Sequence, residues 1–319
     1  MSRIIASLLV IATFLVALPS ASAVTIPTVP VGNAPNAADT TGYGAVGNGY
    51  RIGTTEVSNA QYAEFLNAKA ASDPLALYNT SMGSGFGGIT QSGFSGSFTY
   101  AAIAGRGNKP VNWVSWYDSI RFANWLNNGQ GSGDTETGAY TLLGGTPTPT
   151  NGPSITRNAA ATWFLTSEDE WYKAAYYDGS SYFDYPTSSN TAPTAEAPAG
   201  GSNSANYNNA VGDLTNVGAY TASTSPYGTF DQGGNLWEWN EALVSSSARG
   251  IRGGDWDISS GGLLSSFRVN SGPTGEGSDV GFRVASLSST AAVPEPGSFA
   301  LFLTGLAGLG WCSRKRLWK

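Results

Sequence analysis

The chain has 319 residues, 12% of them charged, a net charge of −6 and no histidine, which argues against phosphate-backbone binding and removes Ser-His-Asp, Cys-His, His-zinc and two-histidine iron chemistry. Its sole cysteine, Cys312, sits near the C-terminus, so no intrachain disulfide can form and packing, aided or not by metal ions, must hold the fold. Forty-two glycines beside 10 tryptophans and 15 tyrosines describe a loop-rich domain with an aromatic core rather than a disordered chain.

In chain order, Arg3, the apolar run Ile4 to Ala17 and the small residues Ala21-Ser22-Ala23 read as a secretory signal peptide over residues 1–23, cut after Ala23. An uncleaved anchor is the alternative, and the apolar run is shorter than the ~20 residues a span needs. Residues 24–49 read as a lead-in and residues 50–285 as one domain.

Three helices are predicted within that domain. Ser58 and Gln61 form a capping box, with Tyr62, Phe65 and Leu66 on one face. A second helix starts in the same manner at Val114-Ser115-Trp116-Tyr117-Asp118 and carries the stripe Trp116, Ile120, Ala123 and Leu126, and a third starts at the Ser167/Glu170 box ahead of Trp171, Ala174 and Ala175. Polar, glycine-rich stretches at Asn79 to Ser97, Gly129 to Pro153 and Thr191 to Ala205 read as surface loops, the last also as an internal linker. Short strands are predicted over Asn235 to Asn240, Arg249 to Trp256, Ser266 to Val269 and Val280 to Ala285.

Residues 286–292 form a stalk before a tail, 293–319, in which Val293-Pro294-Glu295-Pro296 precedes an apolar stretch from Phe299 to Trp311 and then Arg314, Lys315 and Arg316. A short apolar segment stopped by basic residues is a marginal transmembrane segment with a cytoplasmic end. The string resembles the PEP-CTERM sorting signal, which implies an exosortase-type processing partner, membrane association through the tail before processing, and release or attachment at the cell surface or in the extracellular matrix. A plain tail anchor without processing is the other reading.

Six blocks in order, YRIGTTEVSNAQYAEFLNA from Tyr50, KPVNWVSWYDSIRFANWLN from Lys109, FLTSEDEWYKAAYY from Phe164, YGTFDQGGNLWEWNEAL from Tyr227, IRGGDWD from Ile251 and DVGFRVA from Asp279, resemble the sulfatase-modifying-factor, or formylglycine-generating enzyme, domain family. The resemblance implies an irregular, loop-rich α+β fold, C-type-lectin-like, with few short helices and short strands. Active members oxidise a sulfatase cysteine to formylglycine with copper held by two cysteines. Here Ile258 and about Leu263 stand at those positions. Soft thiolates suit Cu(I) and hydrocarbon does not, so neither copper nor, without histidine, the iron of a sister branch is expected.

The resemblance also implies structural calcium held by Asp231, Gly234, Leu236 and Glu238, an oxygen set suited to a hard cation. A second site would use Asn206 and Tyr207, with Asp213 as a further ligand. The alternative is that Asp231 caps a turn and Glu238 pairs with an arginine such as Arg252. Trp237, Trp239, Trp256, Arg268 and Arg283 match positions that shape the family's central cleft. Trp237, Trp256, Arg268 and Asp255 are therefore candidate ligand-binding residues for a glycan or peptide, whereas Arg283 reads as a buried organiser bonded to loop carbonyls. The expected protein is an exported cell-surface binding or structural module without catalytic residues. An oxidase of the same family, and a matrix component with no small ligand, are the competing readings.

Overall fold

The computed structural model describes residues 23–287, and the predicted signal peptide and sorting tail lie outside them. The order is β1 (Thr28–Val31), β2 (Tyr50–Gly53), α1 (Asn59–Lys69), β3 (Ile89–Ser92), β4 (Thr99–Ala102), α2 (Trp116–Asn127), β5 (Trp163–Leu165), α3 (Glu168–Tyr176), β6 (Thr194–Ala195), β7 (Ser204–Ala205), β8 (Trp237–Leu243), β9 (Arg249–Arg252), β10 (Val269–Ser271), β11 (Val280–Gly281) and β12 (Val284–Leu287). Two four-stranded sheets organise the chain, ordered β1-β2-β12-β5 and β10-β9-β8-β11, with two-stranded ribbons β3-β4 and β6-β7 beside them. This is the loop-rich α+β architecture expected.

All three helices begin where the capping boxes place them. Ser58, Ser115 and Ser167 each accept from the backbone N–H of the third helical residue, and the side chain of that residue returns to the cap N–H. Such reciprocal caps satisfy helix-end donors that would otherwise be unpaired. Helices α1 and α2 then bury one aromatic cluster: Phe65 meets Phe122 with ring centroids 5.4 Å apart, and Phe122 meets Phe282 at 5.4 Å. Each such side chain contributes roughly 1.5–3 kcal/mol by leaving water.

The strand boundaries depart from the sequence reading in several places. The 24–49 stretch is no mere lead-in, because Thr28–Val31 pairs antiparallel with Tyr50–Gly53. The Ser266 to Val269 strand starts later, at Val269. Arg249 to Trp256 ends as strand at Arg252, since Gly253 (φ 104°) and Gly254 (φ 79°) turn the chain. The Val280 to Ala285 strand is split. Val280–Gly281 runs parallel to β8, and Val284–Leu287 joins the other sheet against β2 and β5, so the Phe282-Arg283 step carries the chain from one sheet to the other. The Thr191 to Ala205 stretch is not a linker but carries the parallel β6-β7 pair. Among the described residues no helix is long and apolar enough to cross a membrane.

Candidate functional site

The sheet crossing makes Arg283 a buried centre of contacts between β2 and β8. Fully buried, it donates from Nε to Glu238 Oε2 (2.6 Å) and from Nη2 to Glu238 Oε1 (2.6 Å), with further bonds to the carbonyls of Gly53 (3.0 Å) and Phe230 (2.9 Å). Trp171 Nε1 donates to the same Glu238 Oε2 at 2.7 Å. Glu238 therefore pairs with Arg283, not with Arg252, and Arg283 is the organiser of the two sheets. Arg252 turns instead to Glu168 (2.8 Å), which Arg268 also grips from Nε and Nη2 at 2.7 Å each. The ring of Tyr43 covers both guanidiniums, at 4.6 and 5.4 Å.

Asp231 lies beside this centre on a loop of left-handed residues: Asp231 (φ 60°), Gly234 (φ 82°) and Asn235 (φ 65°). A Cβ on Gly234 would come within 2.2 Å of the Asn206 carbonyl oxygen, so the curl requires glycine there. Asp231 Oδ2 accepts from Gly218 N (2.6 Å). Burial pushes its carboxyl up to about 6, while the Gly218 bond and the charge of Arg283 restrain the rise.

Its neighbour Glu56, absent from the sequence-based candidates, is 1% exposed and accepts at Oε1 from Asn235 Nδ2 (3.0 Å), and its Oε2 has no partner. Burial first, and then the charge of Asp231, hold the Glu56 carboxyl well above its usual range. A hard cation fits this pair better than it fits Glu238, whose two oxygens already serve Arg283. The second set fits less well. Asn206 Oδ1 is buried and unpartnered, but Asp213 is bound by Arg106 (2.9 Å) and Lys109 (2.7 Å), so side-chain cations already supply its counter-charge. Tyr207 packs in a small cluster with Tyr185, Ala205 and Leu263.

The four candidate ligand residues divide. Trp237 and Asp255 meet, Trp237 Nε1 donating to Asp255 Oδ2 at 2.9 Å, and Asp255 Oδ1 accepts from the backbone N–H of Asp257 (2.9 Å) and Ile258 (2.7 Å). Trp237 lines a groove of about 430 Å³ together with Ile258, Phe267, Val269, Glu276 and Asp279. Trp256 is turned away onto Phe86, with ring centroids 4.8 Å apart, and Arg268 is held in the Glu168 pair. Neither lines the groove. Burial raises the Glu276 and Asp279 carboxyls, and no lysine or arginine lines this cleft, so it presents an apolar floor with an acidic rim.

The positions that match the family's two copper-holding cysteines are filled by hydrocarbon. A Cβ built on Gly254 would lie 2.9 Å from Leu263 Cδ1 and 3.1 Å from Ile258 Cγ2, so both side chains rest on the same glycine. Leu263 is fully buried.

A loop-rich α+β domain with two small sheets crossed by a buried arginine and a strand-borne glutamate is the class of protein these features define. The chain belongs to the sulfatase-modifying factor enzyme 1-like domain family, which it matches over residues 24–287, and a PEP-CTERM protein-sorting motif follows at residues 292–315. That motif marks an exported protein that is associated with the membrane before exosortase processing.

Solved structures similar in fold include two that span most of this chain. Treponema denticola variable protein 1 has 21% identity and a TM-score of 0.56, covering 84% of this chain and 98% of its own. A structure titled CarF has 22% identity and a TM-score of 0.55, covering 83% and 99%. No curated protein matches in sequence.

Proposed function

We propose that this protein is a non-catalytic binding module displayed at the cell surface or in the extracellular matrix. The observation that carries the reading is the pair Ile258 and Leu263 packed over Gly254, where a copper-dependent relative needs two thiolates. Aliphatic side chains neither ligate Cu(I) nor transfer electrons, and the chain has no histidine with which to build another redox centre. What the fold retains beside them is the groove of Trp237, Phe267, Glu276 and Asp279, an apolar surface with convergent acceptors. In the same reading one structural calcium is held by Asp231 and Glu56 with the carbonyls of Gly234 and Leu236.

The test is to incubate the purified chain with copper, oxygen and a cysteine-containing sulfatase-type peptide and to follow the peptide by mass spectrometry. No conversion of cysteine to formylglycine is expected. Conversion would return the protein to the family's enzymes.

A further inference from the structure

We propose that a second depression, walled by the Ala37–Thr41 turn and the Tyr177–Asp184 loop, binds a neutral carbohydrate chain. It encloses about 600 Å³ and is lined by Asp39, Thr41, Tyr177, Tyr182, Asp184 and Ser266, among others. That volume lies within the range of small-molecule sites. No lysine or arginine lines it, so an anion would meet two carboxylates and no counter-charge. An apolar ligand would strip water from hydroxyls and carboxylates without replacing those bonds. A sugar ring offers both C–H faces for the half-buried tyrosines, whose ring centroids lie 4.7 Å apart, and hydroxyls for the carboxylates.

The walls are already fixed, which lowers the ordering cost of binding. The Tyr182 hydroxyl accepts from Asn36 Nδ2 (2.7 Å) and donates to the Ala37 carbonyl (2.8 Å), and Tyr172 donates to Asp39. Ser265 N donates to the Asp184 carbonyl at 2.9 Å, tying the Tyr177–Asp184 loop to the segment that carries Ser266. The hydroxyls of Tyr177 and Ser266 and the carboxylate of Asp184 make no hydrogen bond among the described residues, and these are the groups left for a ligand.

The depression adjoins the tryptophan groove. Ser265 and Ser266 line the one, and the next residue, Phe267, lines the other. Arg252 fixes this ridge through the carbonyls of Ser265 (2.9 Å) and Phe267 (2.7 Å). A linear oligosaccharide can lie across the ridge and enter both depressions. In this respect the inference rests on the binding-module reading and supplies its ligand class.

Isothermal titration of the purified full chain with linear neutral trisaccharides of glucose, mannose and N-acetylglucosamine, with spermine and a sulfated disaccharide as charged controls, tests it. At least one neutral trisaccharide should bind, and Tyr177→Ala and Asp184→Asn should each weaken it at least tenfold, more than Phe267→Ala does. Unchanged melting temperatures exclude misfolding, and Tyr177→Phe, which removes only the hydroxyl, should weaken binding by a smaller factor. Binding of no neutral sugar, binding of spermine or the sulfated sugar alone, or indifference to both cleft variants would overturn the proposal. A trisaccharide lost only through Phe267→Ala would overturn the cleft and leave the binding module standing. Formylglycine formation would overturn the module itself.

Discussion

Breaking the Arg283–Glu238 pair is the most direct perturbation of this fold. Both side chains are fully buried, and the guanidinium satisfies two carboxylate oxygens and two backbone carbonyls at 2.6–3.0 Å. In Arg283→Met the Glu238 carboxylate keeps only the Trp171 N–H, and Gly53 and Phe230 lose their donor. Removing one partner of such a pair costs about 3–5 kcal/mol, against a total stability of about 5–15 kcal/mol. For a domain of this size the melting temperature should fall by on the order of 10 °C.

Glu238→Gln should cost a similar amount, because it strands the arginine. The double variant removes both charges, and the amide oxygen introduced by Glu238→Gln can still accept from Trp171, so it should be less damaging than the sum of the singles by about 2 kcal/mol. Urea unfolding followed by tryptophan fluorescence, with and without chelator, measures all four corners of this cycle. Additivity within about 0.5 kcal/mol would refute the pairing argument. So would a Glu238→Gln effect that appears only when calcium is present, which would return Glu238 to the metal.

Chelation should lower the melting temperature of the wild-type chain, and Asp231→Asn and Glu56→Gln should each abolish that response. Saturating calcium at about 100 times its dissociation constant is worth about 2.7 kcal/mol, a shift easily seen by calorimetry. Gly234→Ala should destabilise by about 2–3 kcal/mol in chemical unfolding, from a left-handed backbone and a Cβ 2.2 Å from the Asn206 carbonyl oxygen. Burial pushes the Asp118 carboxyl from its usual 3.8 up to about 7, against the bonds from Ser115. The folded state therefore binds the proton more tightly than the unfolded state does. The stability this contributes is complete below about pH 4 and is lost as pH rises toward 7, by at most about 4 kcal/mol. Asp118→Asn should flatten that slope, and an unchanged slope would assign it to other groups.

Much of this protein could be read from its sequence because the signals are local. A capping box needs only residues three apart, so Ser58/Gln61, Ser115/Asp118 and Ser167/Glu170 located all three helices. The ordered blocks identified the family, and the Asp257 to Phe267 stretch, which holds no cysteine, showed that the thiolates are missing. Partner choice was not legible, because it depends on which segments the two sheets bring together. Glu238 took Arg283 rather than Arg252, since β11 and β12 leave Arg283 at the sheet crossing and α3 presents Glu168 to Arg252. Trp256 and Arg268 left the groove for Phe86 and Glu168.

Glu56 carried no signal of its own in the sequence. Only the approach of Asn235, 179 positions away, made it a buried carboxylate with an unsatisfied oxygen. The sequence by itself determined the local caps, the family and the route of export, whereas the tertiary structure alone decided which charges are neutralised by one another and which remain for a ligand. Burial is what sets that difference, and burial is a property of packed segments rather than of neighbouring residues.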